Sequence, residues 1–321
     1  VYGRFADLSL IFQKINTVSN ISVIILTYNE QLHLARCINS LKPVVDDIFV
    51  IDSFSTDDTV QIAEALGATV YQRRWKNYAD QFQWGLDNCP IRTTWVMRMD
   101  ADEYLEDGLA HEIKLKLPSV SDDIAGIYLK RKYYFLGRWI RYGDRYPLVL
   151  LRLWRKGKAH IENRWMDEHV VLDQGAALVF DGNFVDDNLN NIEWFIDKHN
   201  KYASREMIDI LNHKYRFLER DERIEDSEND QAKLKRLVKE KVYNHLPIFF
   251  RPVLYFFYRY IIRLGFMDGK EGFAYHFMQG LWYRCLIDLK CLEAEFTLKG
   301  AESNVEKIAR LQKLTGLNLS N

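Results

Sequence analysis

The chain predicts an α/β fold built on a right-handed, doubly wound sheet. Four short apolar runs, Ile21-Ser-Val-Ile-Ile-Leu26, Asp47-Ile-Phe-Val-Ile51, Ala68-Thr-Val-Tyr71 and Trp95-Val-Met-Arg-Met99, alternate with three helical patterns, which reads β-α-β-α-β-α-β. Three of these runs end abruptly in polar, carboxylate-bearing loops, Thr27–Glu30, Asp52–Asp58 and Asp100–Glu103. Ligands of open α/β sheets gather at the carboxyl ends of strands, so these loops are where a site is expected.

Taken in order, residues 1–20 place Phe5, Leu8, Phe12 and Ile15 at roughly helical spacing. That leader could dock on the domain, lie on a membrane or lack fixed structure. The run at Ile21 is too apolar to have a solvent face and fits an inner parallel strand. A helical pattern through Leu32, Leu34, Cys37, Ile38 and Leu41 follows it, and Pro43 stops that helix. The second strand leads to a helix over Thr59–Leu66 with Gly67 as its stop. A third strand and a helix from Tyr78 to Leu86 lead to the fourth strand.

The last third reads differently. Asn191 caps a helix whose apolar stripe is Phe195, His199, Tyr202 and Ile210. Residues 217–232 are densely charged and read as a solvated linker, and Lys233–Lys241 as a basic helix. From Pro247 to Gly265 the chain is apolar and aromatic, but Arg251, Arg259 and Arg263 interrupt it too often for a membrane span. An amphipathic helix lying in a membrane interface fits this segment, and a packed helical subdomain covering the sheet is the alternative. A further helix is expected over Gly272–Leu298. The organisation expected is thus a leader at 1–20, a catalytic domain at 21–215 and a helical, membrane-associating region at 216–321.

Composition excludes some classes. With 48% hydrophobic and 28% charged residues, the 321-residue chain has ordinary globular character and enough apolar mass for a sizeable core. A formal net charge of −1 gives no sign of a nucleic-acid partner. The four cysteines form neither a Cys-x-x-Cys pair nor a zinc spacing, which fits reduced, cytosolic thiols. The start, Val1-Tyr-Gly-Arg-Phe, has no basic region followed by an apolar one, so no secretory signal is expected.

The strand-end loops narrow the chemistry. Alternate residues of an extended segment point the same way, so Asp100 and Asp102 can converge on one hard cation; an acidic turn capping the next helix is the bland alternative. No loop carries Gly-x-Gly-x-x-Gly or Gly-Lys-Ser/Thr. A nucleotide held here would be gripped by side chains on base and ribose, with its diphosphate neutralised by metal, which disfavours a dehydrogenase.

Ile-Leu-Thr-Tyr-Asn-Glu30, Val-Ile-Asp-Ser-Phe-Ser-Thr-Asp-Asp-Thr59 and Met-Asp-Ala-Asp-Glu103, in this order, resemble the family 2 glycosyltransferases of the glycosyltransferase-A fold. Among them the chain is similar to bacterial lipopolysaccharide-core and exopolysaccharide sugar transferases. The resemblance continues through Phe135-Leu-Gly-Arg-Trp-Ile-Arg141, Leu151-Arg-Leu-Trp-Arg-Lys-Gly157 and Asp167-Glu-His169, covering most of residues 21–215. It implies a mixed, doubly wound sheet with a C-terminal helical extension. It also implies an inverting, metal-dependent hexosyltransferase at the cytoplasmic face of the cell membrane. The expected donor is a nucleotide-diphosphate sugar, UDP-linked, and the expected acceptor a glycan hydroxyl, lipid-linked.

Residue by residue, the resemblance assigns Thr27, Tyr28, Glu30 and Asp52 to base and ribose. A carboxylate such as Asp52 can accept a hydrogen bond from the imide N–H of uracil. Ser55, Asp57 and Asp58 read alternatively as helix caps, Asp58 above all. Asp102 carries over as the main ligand of a divalent cation, Mg or Mn, with Asp100 nearer the ribose or the metal, and Glu103 a weaker candidate. Gln81 falls in a segment where relatives often carry a basic residue for the diphosphate. That duty is vacant here or passes to Arg73, Arg74 or Lys76. One or two of Arg131, Arg138, Arg141, Arg145, Arg152 and Arg155 are expected to touch a substrate. Glu168 is implied as the base that deprotonates the acceptor hydroxyl, with Asp167 the alternative. His169 is implied to orient the diphosphate or ligate the metal, unless it makes only a structural hydrogen bond. Two rival readings are a non-catalytic binding protein of the same fold and a nucleotidyltransferase. The latter would want a Gly-rich, basic first loop, which Thr27-Tyr-Asn-Glu30 is not.

Overall fold

The structure is a computed structural model, and it describes residues 20–162, 169–218 and 246–319. The leader, the linker with its basic helix, and both expected base residues, Asp167 and Glu168, lie outside the described residues.

Strand β1 (Ile21–Thr27) is followed by α1 (Leu34–Leu41), β2 (Asp47–Asp52), α2 (Thr59–Ala65), β3 (Thr69–Gln72), α3 (Tyr78–Asn88) and β4 (Trp95–Asp100), the alternation expected from the sequence. Next come β5 (Glu103–Leu105), α4 (Asp107–Lys116), β6 (Ile124–Phe135), β7 (Arg138–Ile140), β8 (Leu148–Arg155), β9 (Ala159–Ile161), β10 (Val170–Leu172), β11 (Ala176–Asp187) and α5 (Ile192–Tyr215).

The main sheet runs β3-β2-β1-β4-β8-β6-β11-β5, with β7 hydrogen-bonded to β6. Its first four strands are parallel; β8 is antiparallel to β4 and to β6, and β5 antiparallel to β11. The sheet is therefore mixed, as the resemblance implied. Register decides where the loops meet: Thr27 lies opposite Asp52, and Leu26 opposite Asp100. The carboxyl ends of β1, β2 and β4 stop level with one another, and β1 is the point where the chain switches direction across the sheet.

Both faces of the parallel half are covered, which is why its strands read as continuous apolar runs. Ile21, Val23 and Ile25 pack with Leu34, Ile38, Ala63, Leu109 and Ile113 of α1, α2 and α4. Ile24 and Ile51 pack on the other face with Ala79 and Phe82 of α3 and with Ile161 and Val170. A Cβ on Gly85 would sit 3.2 Å from Ile24 and from Ile51, so a glycine lets α3 lie this close to the sheet.

The C-terminal helices are α6 (Phe250–Phe257), continued in π geometry over Tyr258–Ile262, then α7 (Gly269–His276), a π segment Phe277–Trp282, α8 (Tyr283–Leu298) and α9 (Asn304–Thr315). They dock on the β6–β7 hairpin and on α5. Tyr275 packs with Phe135, Ile140 and Phe195, and Ala294, Leu298 and Leu311 pack with Met207, Ile208 and Leu211. At the joint, Gly143 has φ +69, and a Cβ there would come within 2.0 Å of the His276 ring, so the loop and helix meet only because the residue is glycine.

Two of the three arginines of this region are not interfacial charges, a correction to their expected place beside the lipid-facing aromatics. Arg251 is buried in an ion pair with Asp288, and Arg259 is buried with Nε donating to the Gly143 carbonyl at 3.0 Å. The partners lie far away in the sequence and keep each guanidinium charged inside the helical layer. Arg263 alone of the three is exposed, with Asp144 at 3.2 Å. Among the described residues, no helix is long and apolar enough to cross a membrane.

Candidate active site

Four strand ends converge here: those of β1, β2 and β4, and the acidic end of β11, Asp186-Asp-Asn188. The first two loops are sewn together by side chains. Asn29 N–H donates to Ser55 Oγ at 2.8 Å, Glu30 N–H to Thr59 Oγ1 at 2.7 Å, and Asn29 Oδ1 accepts from Thr56 N–H at 2.8 Å. Asp57 rather than Asp58 caps the second helix: its Oδ1 accepts from Thr59 N–H at 3.1 Å, whereas Asp58 makes no capping hydrogen bond.

Three residues expected at the nucleotide are turned inward instead. Asp52 is fully buried; its carboxylate accepts from Thr27 Oγ1 (2.9 Å), Ser55 Oγ (2.5 Å), Ser55 N–H (2.9 Å) and Gln72 Nε2 (3.2 Å). A carboxylate has about four acceptor positions, so none is left over for a base. Thr27 is buried with it. Gln81 is also fully buried, accepting from Arg73 at 2.9 Å and donating to Ser53 Oγ and the Arg73 carbonyl. These side chains brace the loops from below. Arg73, which also pairs with Asp80, belongs to the same brace.

Tyr28 faces outward from the first loop, and Glu30 beside it is mostly buried. The Tyr28 ring is 59% exposed, a flat surface open to solvent at the end of β1. Glu30 Oε2 lies 2.7 Å from His33 Nδ1, while His33 Nε2 accepts from Leu189 N–H at 2.9 Å. That backbone donor fixes the tautomer: Nδ1 carries the proton and donates to Glu30. Burial pushes the Glu30 carboxyl up, the His33 hydrogen bond opposes this, and the nearby Asp102 charge adds to the rise.

The Asp100-Ala-Asp-Glu103 turn separates its three carboxylates. Asp100 accepts from the Tyr78 hydroxyl at 2.7 Å and has Arg98 at 3.5 Å and Arg152 at 3.6 Å. Burial works against its ionisation, but Arg98, Arg152 and the Tyr78 hydroxyl outweigh it and hold the carboxyl well below the usual range. Glu103 is not a cap. It is buried against Arg152 at 2.6 Å and accepts the Asp100 N–H at 2.9 Å, which locks the turn. Burial, with the Asp100 charge, pushes Glu103 upward against the pull of Arg152. Replacing Arg152 by Met should leave Glu103 buried without its partner and cost about 3–5 kcal/mol of stability, read from urea unfolding. Glu103→Gln in the same chain should recover part of that loss.

Asp102 is the carboxylate that remains available. One oxygen accepts from Asn188 Nδ2 at 2.9 Å, and Oδ1 has no hydrogen bond among the described residues. Its backbone carbonyl accepts from Asp187 N–H and from Arg36, which is itself paired with Asp187 at 2.6 Å. Asp186 is held by Arg131 at 3.1 Å; burial, with Asp102 nearby, pushes it up to about 6 against that arginine. The sequence reading missed Asp186 and Asn188, although an apolar strand ending in acids is the same signal that drew attention to β4.

Beside Asn188 lies a cleft of about 240 Å³ lined by Tyr133, Tyr134, Phe135, Asn190, Asn191 and Phe195 among others. The β9–β10 ribbon closes through Glu162 N–H and the His169 carbonyl at 2.9 Å. The half-exposed His169 ring has Nδ1 3.8 Å from Glu162.

The described residues hold no group of three or more His, Cys, Asp or Glu able to bind a metal. Asp100, Asp102 and His169 are therefore not a ready-made cage, because Asp100 is already neutralised by two guanidiniums. Asp102 still fits a hard cation. Magnesium-type sites commonly use one or two carboxylates, with substrate phosphates and water completing the shell. Of the arginines expected near substrate, Arg131 and Arg152 are tied to acids, and Arg155 donates to the Ile124 carbonyl at 2.9 Å and pairs with Asp122. Arg138 and Arg141 are exposed.

Residues 22–184, just over half of the chain, match the family model described as Glycosyl transferase family 2. The chain belongs to that family. Among curated proteins, it is 32% identical over 209 residues to the uncharacterised glycosyltransferase RP128 of Rickettsia prowazekii, covering 60% of this chain and 69% of that one. It is 28% identical over 190 residues to the lipopolysaccharide core biosynthesis glycosyltransferase LpsC of Rhizobium meliloti, covering 57% and 69%. A shorter match, 42% identical over 106 residues, spans 33% of this chain and 37% of a Rickettsia felis glycosyltransferase. The glucosyl-3-phosphoglycerate synthase of Mycobacterium tuberculosis, solved with Mn2+, UDP and glucosyl-3-phosphoglycerate, is 24% identical. It overlaps 36% of this chain and 44% of its own at a TM-score of 0.29, too partial to bear on donor or metal here.

Proposed function

We propose that this family 2 enzyme transfers a sugar, with inversion, from a UDP-sugar to a hydroxyl of a lipid-linked glycan in bacterial lipopolysaccharide or surface polysaccharide synthesis. The observation that carries the reading is Asp102, an available carboxylate where the ends of β1, β4 and β11 meet. Tyr28 offers a stacking surface for the base, and Glu30 a carboxylate for the ribose. Asp102 would hold the divalent cation, which when bound supplies Lewis-acid neutralisation of the leaving diphosphate. The aromatic and amide-lined cleft beside Asn188 has the chemistry of a sugar subsite for the acceptor. Glu168 is the proposed base, receiving the acceptor proton as that oxygen attacks the anomeric carbon opposite the diphosphate. The similarity to LpsC favours a lipopolysaccharide-type acceptor. The test is sugar transfer from a panel of nucleotide sugars to bacterial lipid-linked glycans, with Mg2+, Mn2+ or chelator. Turnover of UDP-sugars alone, lost in chelator, is the expected result, and hydrolysis or transfer with none of the panel would sink the reading.

The location proposed is peripheral, on the cytoplasmic face of the membrane, and the exposed side of α6 supports it. Phe250, Val253, Phe257, Ile261, Ile262 and Met267 are all exposed, each between 41% and 59%. From Ile248 to Met267 the exposed charge is Arg263, with no exposed acid, and Lys270 follows. An apolar face bordered by cations, preceded in the sequence by the basic run Lys233–Lys241, fits an anionic lipid surface. Each buried aromatic or aliphatic side chain contributes about 1.5–3 kcal/mol. Phe250→Ser with Phe257→Ser should therefore release the protein from phosphatidylglycerol vesicles while leaving its unfolding midpoint unchanged. Equal sedimentation of both proteins, or a concentration-dependent dimer covering this face, would overturn it.

A further inference from the structure

A diphosphate entering beside Asp102 brings at least two negative charges into a neighbourhood already holding Glu30, Asp102 and Asp186. Five of the cations nearby are already paired with acids. Arg98 and Arg152 sit with Asp100 and Glu103, Arg131 with Asp186, Arg73 with Asp80, and Arg36 with Asp187.

Helix α5 supplies another. Its start is fastened over the site: Asn188 binds Asp102, Leu189 N–H binds His33, and Asn191 caps the helix by accepting from Trp194 N–H at 2.9 Å. One turn on, Lys198 lies between its i−4 and i+4 neighbours, with Nζ 4.5 Å from the centre of the Trp194 ring and 5.8 Å from that of Tyr202. The two rings hold the stem and steer the ammonium. No carboxylate lies within 4 Å of it among the described residues, yet Asp102, Asp186 and Glu30 all act on it electrostatically. Burial works to lower its pKa, but Tyr202 and these three acids outweigh it and keep the ammonium charged.

We propose that Lys198 is the cation that meets the donor's diphosphate, replacing the basic residue absent from α3. This rests on the reading of the strand ends around Asp102 as the donor site. In that role Lys198 binds the diphosphate in the ground state and holds its growing charge as the glycosidic bond breaks, with no proton changing hands. It also explains an ammonium held among acids without closing on any of them: the ion pair is completed by the ligand.

The test is equilibrium binding, followed by calorimetry and by quenching of tryptophan fluorescence, of UDP, UMP and uridine to the full chain and to Lys198→Met and Lys198→Arg. Lys198→Met should weaken UDP about ten- to a hundredfold, as expected for loss of one charge-assisted hydrogen bond, and leave uridine unchanged. Lys198→Arg should restore most of the UDP affinity. Unchanged UDP affinity in Lys198→Met, or equal losses for UDP and uridine, would overturn the proposal while leaving the donor site standing. If the wild-type chain binds none of UDP, GDP and ADP, the donor-site reading itself falls, and Lys198 with it. Should Lys198→Met not fold, Lys198→Gln keeps the stem over Trp194 and allows the same comparison.

Discussion

Asp102→Ala is expected to lower transfer about 10³-fold or more and to weaken UDP binding in Mg2+ or Mn2+, with almost no effect on stability. Stabilising a developing diphosphate charge is worth several kcal/mol, and each 1.4 kcal/mol is a factor of ten. The fold should tolerate the change because Asp102 does little for it. Among the described residues its side chain makes one hydrogen bond, to Asn188, and the contacts with Arg36 and Asp187 go through its backbone carbonyl, which alanine keeps. Asp100→Ala should behave in the opposite sense, since it strips Tyr78, Arg98 and Arg152 of a shared acceptor. Initial rates across a metal titration, beside thermal melts of both variants, separate the two roles. An Asp102→Ala enzyme fully active in chelator would remove the metal from the reading.

How much of this was legible in the sequence depends on how local the physics is. Inner parallel strands are apolar on both faces, so β1, β2 and β4 announce themselves, and the abrupt change to Asp and Glu marks their carboxyl ends. Helix α3 and the Asn191 cap are equally local. What stayed hidden depends on partners distant in the chain. Nothing near Asp52 reveals that Thr27 and Gln72 will use up its oxygens, nor does anything near Arg251 reveal Asp288. An arginine among aromatics therefore read as a membrane charge when it is a buried pin. The antiparallel half was masked by composition: β6 carries Lys130, Arg131 and Lys132 in the middle of a strand, and those charges find Asp181, Asp186 and Glu106 across the sheet. Lys198 was overlooked because in the helical pattern it looks like any solvated lysine. Only the loop that ties α5 to Asp102 shows where it points.

Glu168→Gln should lower turnover about 10²- to 10⁴-fold at saturating donor and acceptor while leaving UDP affinity nearly unchanged. Glutamine keeps the size and shape of the side chain but cannot take a proton. Asp167→Asn should cost much less if Glu168 rather than Asp167 receives the proton of the acceptor hydroxyl. A larger loss for Asp167→Asn would exchange the two roles. Equal small losses would place the base elsewhere, and the structure makes the next candidate read from the sequence, Asp144, an awkward substitute. Asp144 is held 3.2 Å from Arg263, on the joint where Gly143 meets His276, so using it as a base would mean breaking an ion pair at a close-packed contact. His169 supplies an internal control. Its ring lies half-exposed beside the segment and 3.8 Å from the buried Glu162. His169→Gln should therefore change turnover less than Glu168→Gln, unless the imidazole itself touches the diphosphate, in which case UDP affinity would fall with it.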